Sequence, residues 1–306
     1  MITVLLATYN GEKYLSEQLD SLLGQSFKDI KILARDDAST DGTAAILEDY
    51  AKKHPETVTV IKGEGTGSAC ANFLELIRLA DDDYVMFCDQ DDVWLPEKVE
   101  KTYKKMLETE NGDRETPVLV HSDLKVVDKD LRLMSESFFE FQAISPERDK
   151  LNNLLIQNNV TGCTVMINRA MLKLAKMTPS SCVMHDWWLA LLASLFGKSA
   201  YVTEPLMLYR QHGNNQVGAK KANGLGFVIQ KFKNRKNTKR NYTACFKQAE
   251  ALLELFKDEM TAEQAETVAA AAELGRSSKL QKIKLIKKYD FRKNTFLRTW
   301  GQYFSI

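Results

Sequence analysis

The sequence predicts an α/β fold in which a mostly parallel β-sheet is flanked by helices, followed by a helical C-terminal region. Over the first hundred residues, short apolar runs alternate with segments whose apolar residues recur at helical spacing. Acidic clusters directly follow two of these runs, at the carboxyl ends of strands, where the ligand crevice of a parallel sheet lies. The 306 residues, 44% hydrophobic and 27% charged, allow one large globular domain with an appendage.

Four strand-and-helix repeats account for the first part of the chain. The strands are short apolar runs, predicted at residues 2–7, 30–34, 58–61 and 84–88. The helices are predicted at residues 12–23, 43–53, 69–80 and 96–107. Leu15, Leu19 and Leu22 fall on one side of the first helix, for example, and an Asp-Gly turn precedes the second. Pro96 opens the fourth helix, where its missing N–H costs nothing. Strands joined by helices in this way form a parallel sheet covered on both faces.

The rest of the chain mixes weaker strand patterns with helices. Strands are predicted at residues 118–121, 124–127, 162–168 and 199–202, and residues 206–210 are also strand-like. Helices are predicted at residues 186–196, 225–232, 242–255, 262–274 and 279–289. The last third of the chain is therefore expected to be helical.

The charge of the chain divides it into two parts. Residues 1–219 carry 23 basic and 33 acidic side chains, a net charge of −10, whereas residues 220–306 carry 19 and 8, a net charge of +11. We therefore expect an α/β domain over 1–219 and a basic helical region over 220–306 with a different partner.

The five cysteines include no CxxC pair and indicate a reducing compartment. No signal-peptide pattern and no membrane-spanning apolar run is found, so a soluble or peripheral protein is expected.

Several common active-site patterns are absent from the sequence. It contains no P-loop, no GxSxG nucleophile elbow and no HExxH zinc motif. Gly63, Gly65 and Gly67 follow the third strand, whereas the glycine-rich turn of a Rossmann fold follows the first. The basic region has no zinc-finger or RNA-binding pattern, so nucleic acid is not an expected partner.

Carboxylates gather after the second and fourth predicted strands. Asp36 and Asp37 follow the second strand, and Asp89, Asp91 and Asp92 follow the fourth. Carboxylates this close repel one another unless a cation or solvent compensates. Asp89 and Asp91 are two residues apart and point to the same side of an extended chain, a geometry that suits one divalent cation. The alternative is a solvated acidic loop.

Three motifs follow one another along the first hundred residues: TYNGEKYL at 8–15, DDASTDGT at 36–43 and DQDDVWLP at 89–96. In this order and spacing they resemble family-2 inverting glycosyltransferases with the GT-A fold. The segments at 161–164, 185–188 and 209–215 are similar to those of bacterial rhamnosyltransferases of cell-wall and capsular polysaccharide assembly, of the rhamnan α-1,3-rhamnosyltransferase type. The resemblance covers residues 1–219 and departs from the family at 65–72, which lack the common Asn-x-Gly.

The resemblance implies a binding site for a nucleotide-sugar donor. Asp37 matches the aspartate that accepts a hydrogen bond from N3–H of the pyrimidine base, which uracil and thymine can donate and cytosine cannot. Tyr9 matches an aromatic residue packed near the base, with packing in the core as the alternative. Arg210 is expected at the diphosphate, with a structural ion pair as the alternative. The donor-binding residues implied are Thr8, Tyr9, Asn10, Glu12, Asp37, Asp89, Gln90 and Arg210.

The resemblance also implies a divalent cation, Mg²⁺ or Mn²⁺. Asp91 matches the metal ligand of the family's DxD motif, and Asp89 is expected to face the ribose or a metal-bound water. His212 matches an additional metal or diphosphate contact, with a surface or packing position as the alternative. A cation there stabilises the departing nucleoside diphosphate.

The resemblance assigns Asp186 as the catalytic base. Inverting transfer is a single displacement in which the attacking hydroxyl must lose its proton, so a positioned carboxylate is required. Asp186 opens an apolar helix, so an N-cap is the alternative, and both roles are compatible. Trp187 and Trp188 are expected to give a sugar an apolar platform and to raise the pKa of the base by desolvation. Thr161 and Gly162 are expected on the acceptor side.

The basic region predicts contact with an anionic membrane. Leu280, Ile283, Ile286 and Tyr289 recur every three residues within 279–289, among lysines, and further aromatic residues follow. Cationic amphipathic helices with aromatic residues suit the surface of an anionic membrane. The alternative is a helical subdomain packed on the catalytic domain.

The protein expected from the sequence is a cytoplasmic, metal-dependent inverting glycosyltransferase, peripheral to the inner face of the cell membrane if the basic region binds there. The expected donor is dTDP-L-rhamnose, and the expected acceptor is a glycan or lipid-linked glycan of a growing cell-surface polysaccharide. A UDP-hexose donor is an alternative, because thymine and uracil differ by one methyl group. The second alternative is a catalytically silent carbohydrate-binding protein of an assembly complex.

Overall fold

The computed structural model describes residues 1–213 and 235–306. The strands are β1 (Ile2–Thr8), β2 (Ile30–Asp36), β3 (Val58–Ile61), β4 (Tyr84–Cys88), β5 (Val93–Trp94), β6 (Val118–Asp128), β7 (Leu133–Ser135), β8 (Met166–Asn168) and β9 (Lys198–Gln211). The helices before β9 are α1 (Leu15–Leu23), α2 (Thr43–Lys53), α3 (Ala69–Leu79), α4 (Lys98–Glu110), α5 (Phe138–Gln142), α6 (Leu151–Leu154), α7 (Arg169–Ala175) and α8 (His185–Phe196). The helices after it are α9 (Arg235–Phe256), α10 (Ala262–Glu273), α11 (Lys279–Lys288) and α12 (Phe296–Ser305). Two 3₁₀ turns lie at Gly162–Thr164 and Lys257–Glu259.

One sheet runs through the molecule in the order β3-β2-β1-β4-β8-β6-β9-β5, with β7 paired to β6. The four strands from β3 to β4 are parallel, and β8 is antiparallel to both of its neighbours. Thr8 at the end of β1 pairs with Asp36 at the end of β2, and Leu6 pairs with Cys88 at the end of β4. The motifs that follow these three strands therefore meet at one edge of the sheet.

The predicted α/β class is confirmed, and α2, β3 and β4 have the predicted bounds. The first helix begins at Leu15 rather than at residue 12, because the chain first closes a turn in which Tyr14 N donates to Gly11 O at 3.0 Å. The fourth helix begins at Lys98, after Pro96, because Lys98 N bonds back to Leu95 O in a turn.

In the middle of the chain, the largest difference between the predicted and the observed strands is explained by a buried polar residue. The strands predicted at 118–121 and 124–127 are one strand, β6. Asp123, which interrupts the apolar pattern, is buried and accepts hydrogen bonds from Ser137 Oγ and the Phe138 N–H. Residues 162–168 begin as a 3₁₀ turn before β8, and 199–202 belong to the longer β9.

Six elements are absent from the sequence prediction: β5, β7, α5, α6, α7 and α12. The first five are two to seven residues long, too short for hydrophobic periodicity to be read. The helix predicted at 225–232 and the domain boundary at 219 lie outside the described residues.

The core lies on both faces of the sheet. Val4 and Leu6 of β1 pack on one face, and Leu5 and Ala7 on the other, as the alternation of a strand requires. The second face also holds residues of the C-terminal helices and of the segment after α11, including Phe246, Phe256, Val268, Ile286 and Phe291. The basic region thus shares a hydrophobic core with the sheet. Over the two described ranges, the helices include none of the length and apolar character that a bilayer span requires.

Candidate active site

The loops after β1 and β2 are joined by three residues predicted to bind the donor. Thr8 Oγ1 donates to Asp36 Oδ1 at 2.9 Å. Asn10 Oδ1 accepts from the Thr40 N–H at 2.8 Å, and Glu12 Oε2 accepts from the Gly42 N–H at 2.9 Å. The structure therefore gives Thr8, Asn10 and Glu12 partners within the protein, where they fix the shape of these two loops.

Gln90, another predicted donor contact, fixes the position of Tyr9. Gln90 Oε1 accepts from the Tyr9 N–H at 2.7 Å, and Gln90 Nε2 donates to Tyr9 O at 2.8 Å. Gly11 is needed beside this pair, because a Cβ there would lie 2.3 Å from Gln90 Oε1. The Tyr9 side chain is 56% exposed, so it does not pack in the core and is open to a ligand.

Asp37 is a buried carboxylate surrounded by donors. Its Oδ1 accepts from the Thr66 N–H, from Thr66 Oγ1 at 2.7 Å and from Arg35 Nη1 at 3.3 Å. Its Oδ2 accepts from the Gly67 N–H at 3.0 Å. Burial raises the pKa of Asp37, but the hydrogen bonds from Thr66, Arg35 and Gly67 outweigh burial and hold it below its usual value. The segment that departs from the family pattern therefore folds onto Asp37, a contact that the sequence did not reveal.

The chain turns immediately after β4, so Asp89 and Asp91 are not on an extended strand as predicted. The structure does bring Asp91 and His212 together: His212 Nε2 lies 2.7 Å from Asp91 Oδ2. The ring of His212 packs 5.0 Å from that of Tyr14. Asp89 is half-buried, and burial together with the charges of Asp91 and Asp186 raises its pKa to about 7. The predicted metal-binding carboxylates therefore lie near the predicted base.

The burial of two charged side chains near these carboxylates, Asp92 and Lys98, was not predicted. Asp92 is fully buried, and burial raises its pKa well above the usual value. Its Oδ1 accepts from the Arg210 N–H at 3.0 Å, whereas its Oδ2 has no hydrogen-bond partner in the described parts of the chain. Lys98 is also fully buried; its Nζ donates to Cys163 O at 2.6 Å and lies 4.1 Å over the ring of Trp94. Burial lowers the pKa of Lys98 to about 8.

Ligand atoms of Asp89, Asp92 and Cys163 lie within 4.8 Å of one another. Asp92 and Cys163 are sealed from solvent, and a thiol suits a soft ion better than Mg²⁺ or Mn²⁺. Asp91 and His212 are better placed for a hard cation that must also reach a diphosphate, because both side chains retain access to solvent.

Asp186 lies in the first turn of α8 and is 8% exposed. Its carboxylate accepts from the Trp187 N–H at 2.6 Å, from the Gly162 N–H and from the Asn158 side chain. Burial is the largest influence on its pKa and raises it to about 7. The N-cap of α8 is Met184, so the predicted capping position of Asp186 is wrong, whereas its fixed orientation and raised pKa are present.

The two tryptophans beside Asp186 have different surroundings. Trp187 is half-buried, and its Nε1 donates to Leu154 O at 2.6 Å. Trp188 is fully buried and packs against Phe256, so it belongs to the core and does not form a platform for the acceptor. Consecutive helical residues point in different directions, which prevents the two indoles from sharing a face.

Gly162, predicted with Thr161 on the acceptor side, lies beside Asp186, because a Cβ on it would be 3.5 Å from Asp186 Cβ. Thr161 is half-buried and precedes the 3₁₀ turn, whereas Gly162 is buried within it. A Cβ on Gly162 would lie 2.7 Å from His185 Nε2, so glycine allows this turn to approach α8. His185 is buried against the rings of Phe73 and Phe87 and has little room to move.

Arg210 is fixed by contacts within the protein, including the structural ion pair that was the alternative to a diphosphate contact. It forms an ion pair with Glu17, and its Nε donates to Asp91 O at 2.8 Å. Its guanidinium also lies 4.5 Å from the ring centroid of Tyr14. Arg210 thereby supports the backbone of Asp91, and its contact with a diphosphate stays a prediction.

Comparison with known proteins gives a consistent result. The family described as "Glycosyl transferase family 2" matches residues 3–173. The dTDP-rhamnosyl transferase RfbG of Shigella flexneri is 31% identical over 254 residues, which are 76% of this chain and 82% of RfbG.

Solved structures show the same fold. TarS of S. aureus, residues 1–349 in complex with UDP-GlcNAc, has a TM-score of 0.54 at 16% identity and covers 95% of this chain and 88% of its own. The mannosyltransferase PcManGT of Pyrobaculum calidifontis, in complex with GDP-Man and Mn²⁺, has a TM-score of 0.50 at 16% identity. The match covers 94% of this chain and 79% of PcManGT.

Proposed function

The chain belongs to glycosyl transferase family 2 and is a glycosyltransferase with the GT-A fold; we propose that it transfers L-rhamnose from dTDP-L-rhamnose, with inversion. The proposed acceptor is a hydroxyl group of a growing cell-surface polysaccharide or of a lipid-linked oligosaccharide. Similarity to RfbG, a dTDP-rhamnosyl transferase, supports the donor. The observation that supports the mechanism is that Asp186 lies close enough to Asp89 for its charge, together with that of Asp91, to raise the pKa of Asp89.

Asp37 is suited to a pyrimidine base that carries an N3–H. Its Oδ1 is occupied by three donors of the protein, whereas among the described residues only Gly67 donates to its Oδ2, which leaves a lone pair for a ligand. An imide N–H bound to this ionised oxygen gives a charge-assisted hydrogen bond. Thymine and uracil both supply that N–H, so Asp37 selects these bases over cytosine. The exposed ring of Tyr9 is available to pack against the base.

Asp91 and His212, with Asp89 beside them, would hold a divalent cation. Two carboxylates and an imidazole are a reasonable set for Mg²⁺ or Mn²⁺, with the remaining positions left for phosphate oxygens. A bound cation would neutralise charge on the departing nucleoside diphosphate. Arg210 keeps Asp91 in place through its backbone carbonyl, and Gln90 holds the preceding turn against the end of β1.

Asp186 would act as the general base. The acceptor oxygen forms a bond to the anomeric carbon, the bond from that carbon to the diphosphate breaks, and its electron pair leaves with the diphosphate. The hydroxyl proton passes to the Asp186 carboxylate. The N–H groups of Trp187 and Gly162 hold this carboxylate in one orientation, and burial keeps its pKa near the pH at which it must accept a proton.

A peripheral contact with an anionic membrane is proposed for the basic region. The apolar stripe predicted on α11 is divided in the structure, because Ile286 is buried in the core while Leu280 is 75% exposed. Phe296 and Leu297, at the start of α12, are 82% and 67% exposed. These residues lie in the part of the chain with net charge +11, a combination that suits anionic lipid surfaces. Such a contact would bring the enzyme to a lipid-linked acceptor.

The donor proposal is tested with a panel of nucleotide sugars. Release of nucleoside diphosphate from dTDP-L-rhamnose, UDP-glucose, UDP-N-acetylglucosamine and GDP-mannose is measured with Mg²⁺, with Mn²⁺ and with a chelator. We expect dTDP-L-rhamnose to turn over fastest, with the rate lost on chelation and in Asp91→Ala. Faster turnover of a UDP-hexose would overturn the donor assignment. Absence of turnover with every donor would favour the silent binding protein.

A further inference from the structure

Two cysteines that are far apart in sequence meet beside Asp186. Cys70 lies in the first turn of α3, and Cys182 lies in the segment that leads into α8. The Cys70 thiol donates to Cys182 O at 4.0 Å, so the two cysteines are in contact. Both side chains are partly exposed, whereas Cys88, Cys163 and Cys245 are buried. A small oxidant can therefore reach this pair before the others.

The surroundings of Cys70 favour its thiolate. Its hydrogen bond with Cys182 is the largest influence and lowers its pKa below the usual 9.0, and the His185 N–H at the start of α8 lowers it further. Burial and the charge of Asp186 raise the pKa of Cys70, but by less than the hydrogen bonds lower it. Cys70 also lies at the N-terminal end of α3, where the helix dipole favours an anion. The pKa of Cys182 is raised, so its sulfur keeps the proton that the pair shares.

We propose that Cys70 and Cys182 are a peroxide-sensitive dithiol that closes to a reversible disulfide next to the catalytic base. The Cys70 thiolate attacks one oxygen of hydrogen peroxide, the O–O bond breaks, and a sulfenic acid forms as the released hydroxide takes up a proton. The Cys182 sulfur then attacks the Cys70 sulfur, an S–S bond forms, and water leaves. Two thiols and one peroxide thus give one disulfide and two waters; both sulfurs are oxidised, and the peroxide is reduced.

The disulfide would tie α3 to the segment that positions α8. Cys182 is four residues before Asp186, so a bond to Cys70 restrains the approach to the helix turn that carries the base. Oxidation is therefore expected to slow sugar transfer, and a dithiol reductant is expected to restore it. The dithiol chemistry itself depends only on the thiols and is measured without any substrate.

The test treats the full-length reduced protein with hydrogen peroxide and follows its intact mass and its peptides under non-reducing conditions. The wild type is expected to lose the mass of two hydrogen atoms, to keep three titratable thiols, and to yield a Cys70–Cys182 linked peptide. Cys182→Ser is expected to stop at a sulfenic acid on Cys70 that dimedone traps. Cys70→Ser is expected to form neither product.

Cys245→Ala is the matched control, because it removes a buried cysteine distant in sequence from the pair; it should oxidise like the wild type. Five remaining thiols, a disulfide between other cysteines, or dimedone on Cys182 in place of Cys70 would each overturn the proposal. These outcomes are read from masses and thiol counts without any sugar donor, so they stand apart from the donor assignment.

Discussion

Asp37 and Asp186 are both buried aspartates, yet their surroundings move their pKa values in opposite directions. Asp37 receives hydrogen bonds from Thr66, Gly67 and Arg35, which keep it ionised. Asp186 receives fewer hydrogen bonds, and burial raises its pKa to about 7. The first suits a constant negative charge that binds a base, and the second suits a group that must gain and lose a proton.

Substitution of Asp186 by asparagine is expected to stabilise the fold. The pKa of Asp186 rises from 3.8 in the unfolded chain to about 7 in the folded protein, so its ionised form destabilises folding. That penalty grows as the pH rises from about 4 to about 7 and is fully present at about pH 8. An asparagine side chain at this position would lack the charge but keep one acceptor oxygen. Thermal unfolding at pH 8 should show a gain of roughly 1 kcal/mol for Asp186→Asn, and a lower stability would contradict the buried charge.

The pH dependence of sugar transfer tests the same residue, Asp186. A general base must be deprotonated, so the rate should rise with pH and level off above the pKa of about 7 given by burial. Asp89 also lies near Asp186, and burial with the charges of Asp91 and Asp186 raises its pKa to about 7 as well. The rate at saturating donor and acceptor, measured from about pH 5.5 to about pH 8.5, tests this. A flat profile across that range would exclude a base with this pKa.

At the scale of elements, the contact between the 3₁₀ turn and α8 holds Asp186, the proposed base, in place. Gly162→Ala would place a Cβ 2.7 Å from His185 Nε2, and the rings of Phe73 and Phe87 leave His185 no space to retreat. The turn must then move and withdraw its N–H from Asp186. We expect transfer to fall by at least roughly tenfold and stability by about 1–3 kcal/mol, measured by initial rates and by denaturant unfolding.

Gly301→Ala is the control for that variant. No heavy atom lies within 4 Å of a Cβ placed on Gly301, and its helical position favours alanine. It should keep the wild-type rate. Equal rates for Gly162→Ala and Gly301→Ala would show that the approach of the turn to α8 does not position the base.

Sequence reasoning was strongest where the signal is local. The four strand-and-helix repeats were predicted because their hydrophobic pattern is contained within each element. The motifs pointed to Asp37, Asp91, His212 and Asp186. The structure places His212 against Asp91, and the charges of Asp91 and Asp186 both act on Asp89. Lys98 gave no signal, because a lysine in an amphipathic helix is ordinarily a surface residue and its burial depends on tertiary packing alone.

At the scale of the whole molecule, the opposite charges of the two parts do not divide the core. The C-terminal helices pack on the same face of the sheet as α8, so Phe256 supports Trp188, two residues from Asp186. Truncation of the basic region would therefore expose part of this core. For that reason, membrane binding is better examined with surface substitutions in the full chain.

The double variant Phe296→Ser/Leu297→Ser should weaken binding to vesicles of phosphatidylglycerol and phosphatidylcholine by roughly tenfold or more, because both exposed side chains bury apolar area at the interface. Vesicle sedimentation measures this. Binding of the wild type should fall with salt, since exposed charges are screened beyond about 8–10 Å at physiological ionic strength.

Leu133→Ser/Met134→Ser is the matched control for the vesicle experiment. It removes two exposed apolar side chains from β7, in the acidic part of the chain, and should leave vesicle binding unchanged. Equal losses in both double variants, or no binding by the wild type, would refute the membrane contact.

The most direct test of the central claim is the transfer rate of Asp186→Asn relative to the wild type, at equal donor saturation and with Mg²⁺ or Mn²⁺ present. If Asp186 is the base of an inverting displacement, the variant should bind donor normally and lose transfer by a factor of roughly 10²–10⁴. A variant that folds, binds donor and turns over at a near-normal rate would contradict the account.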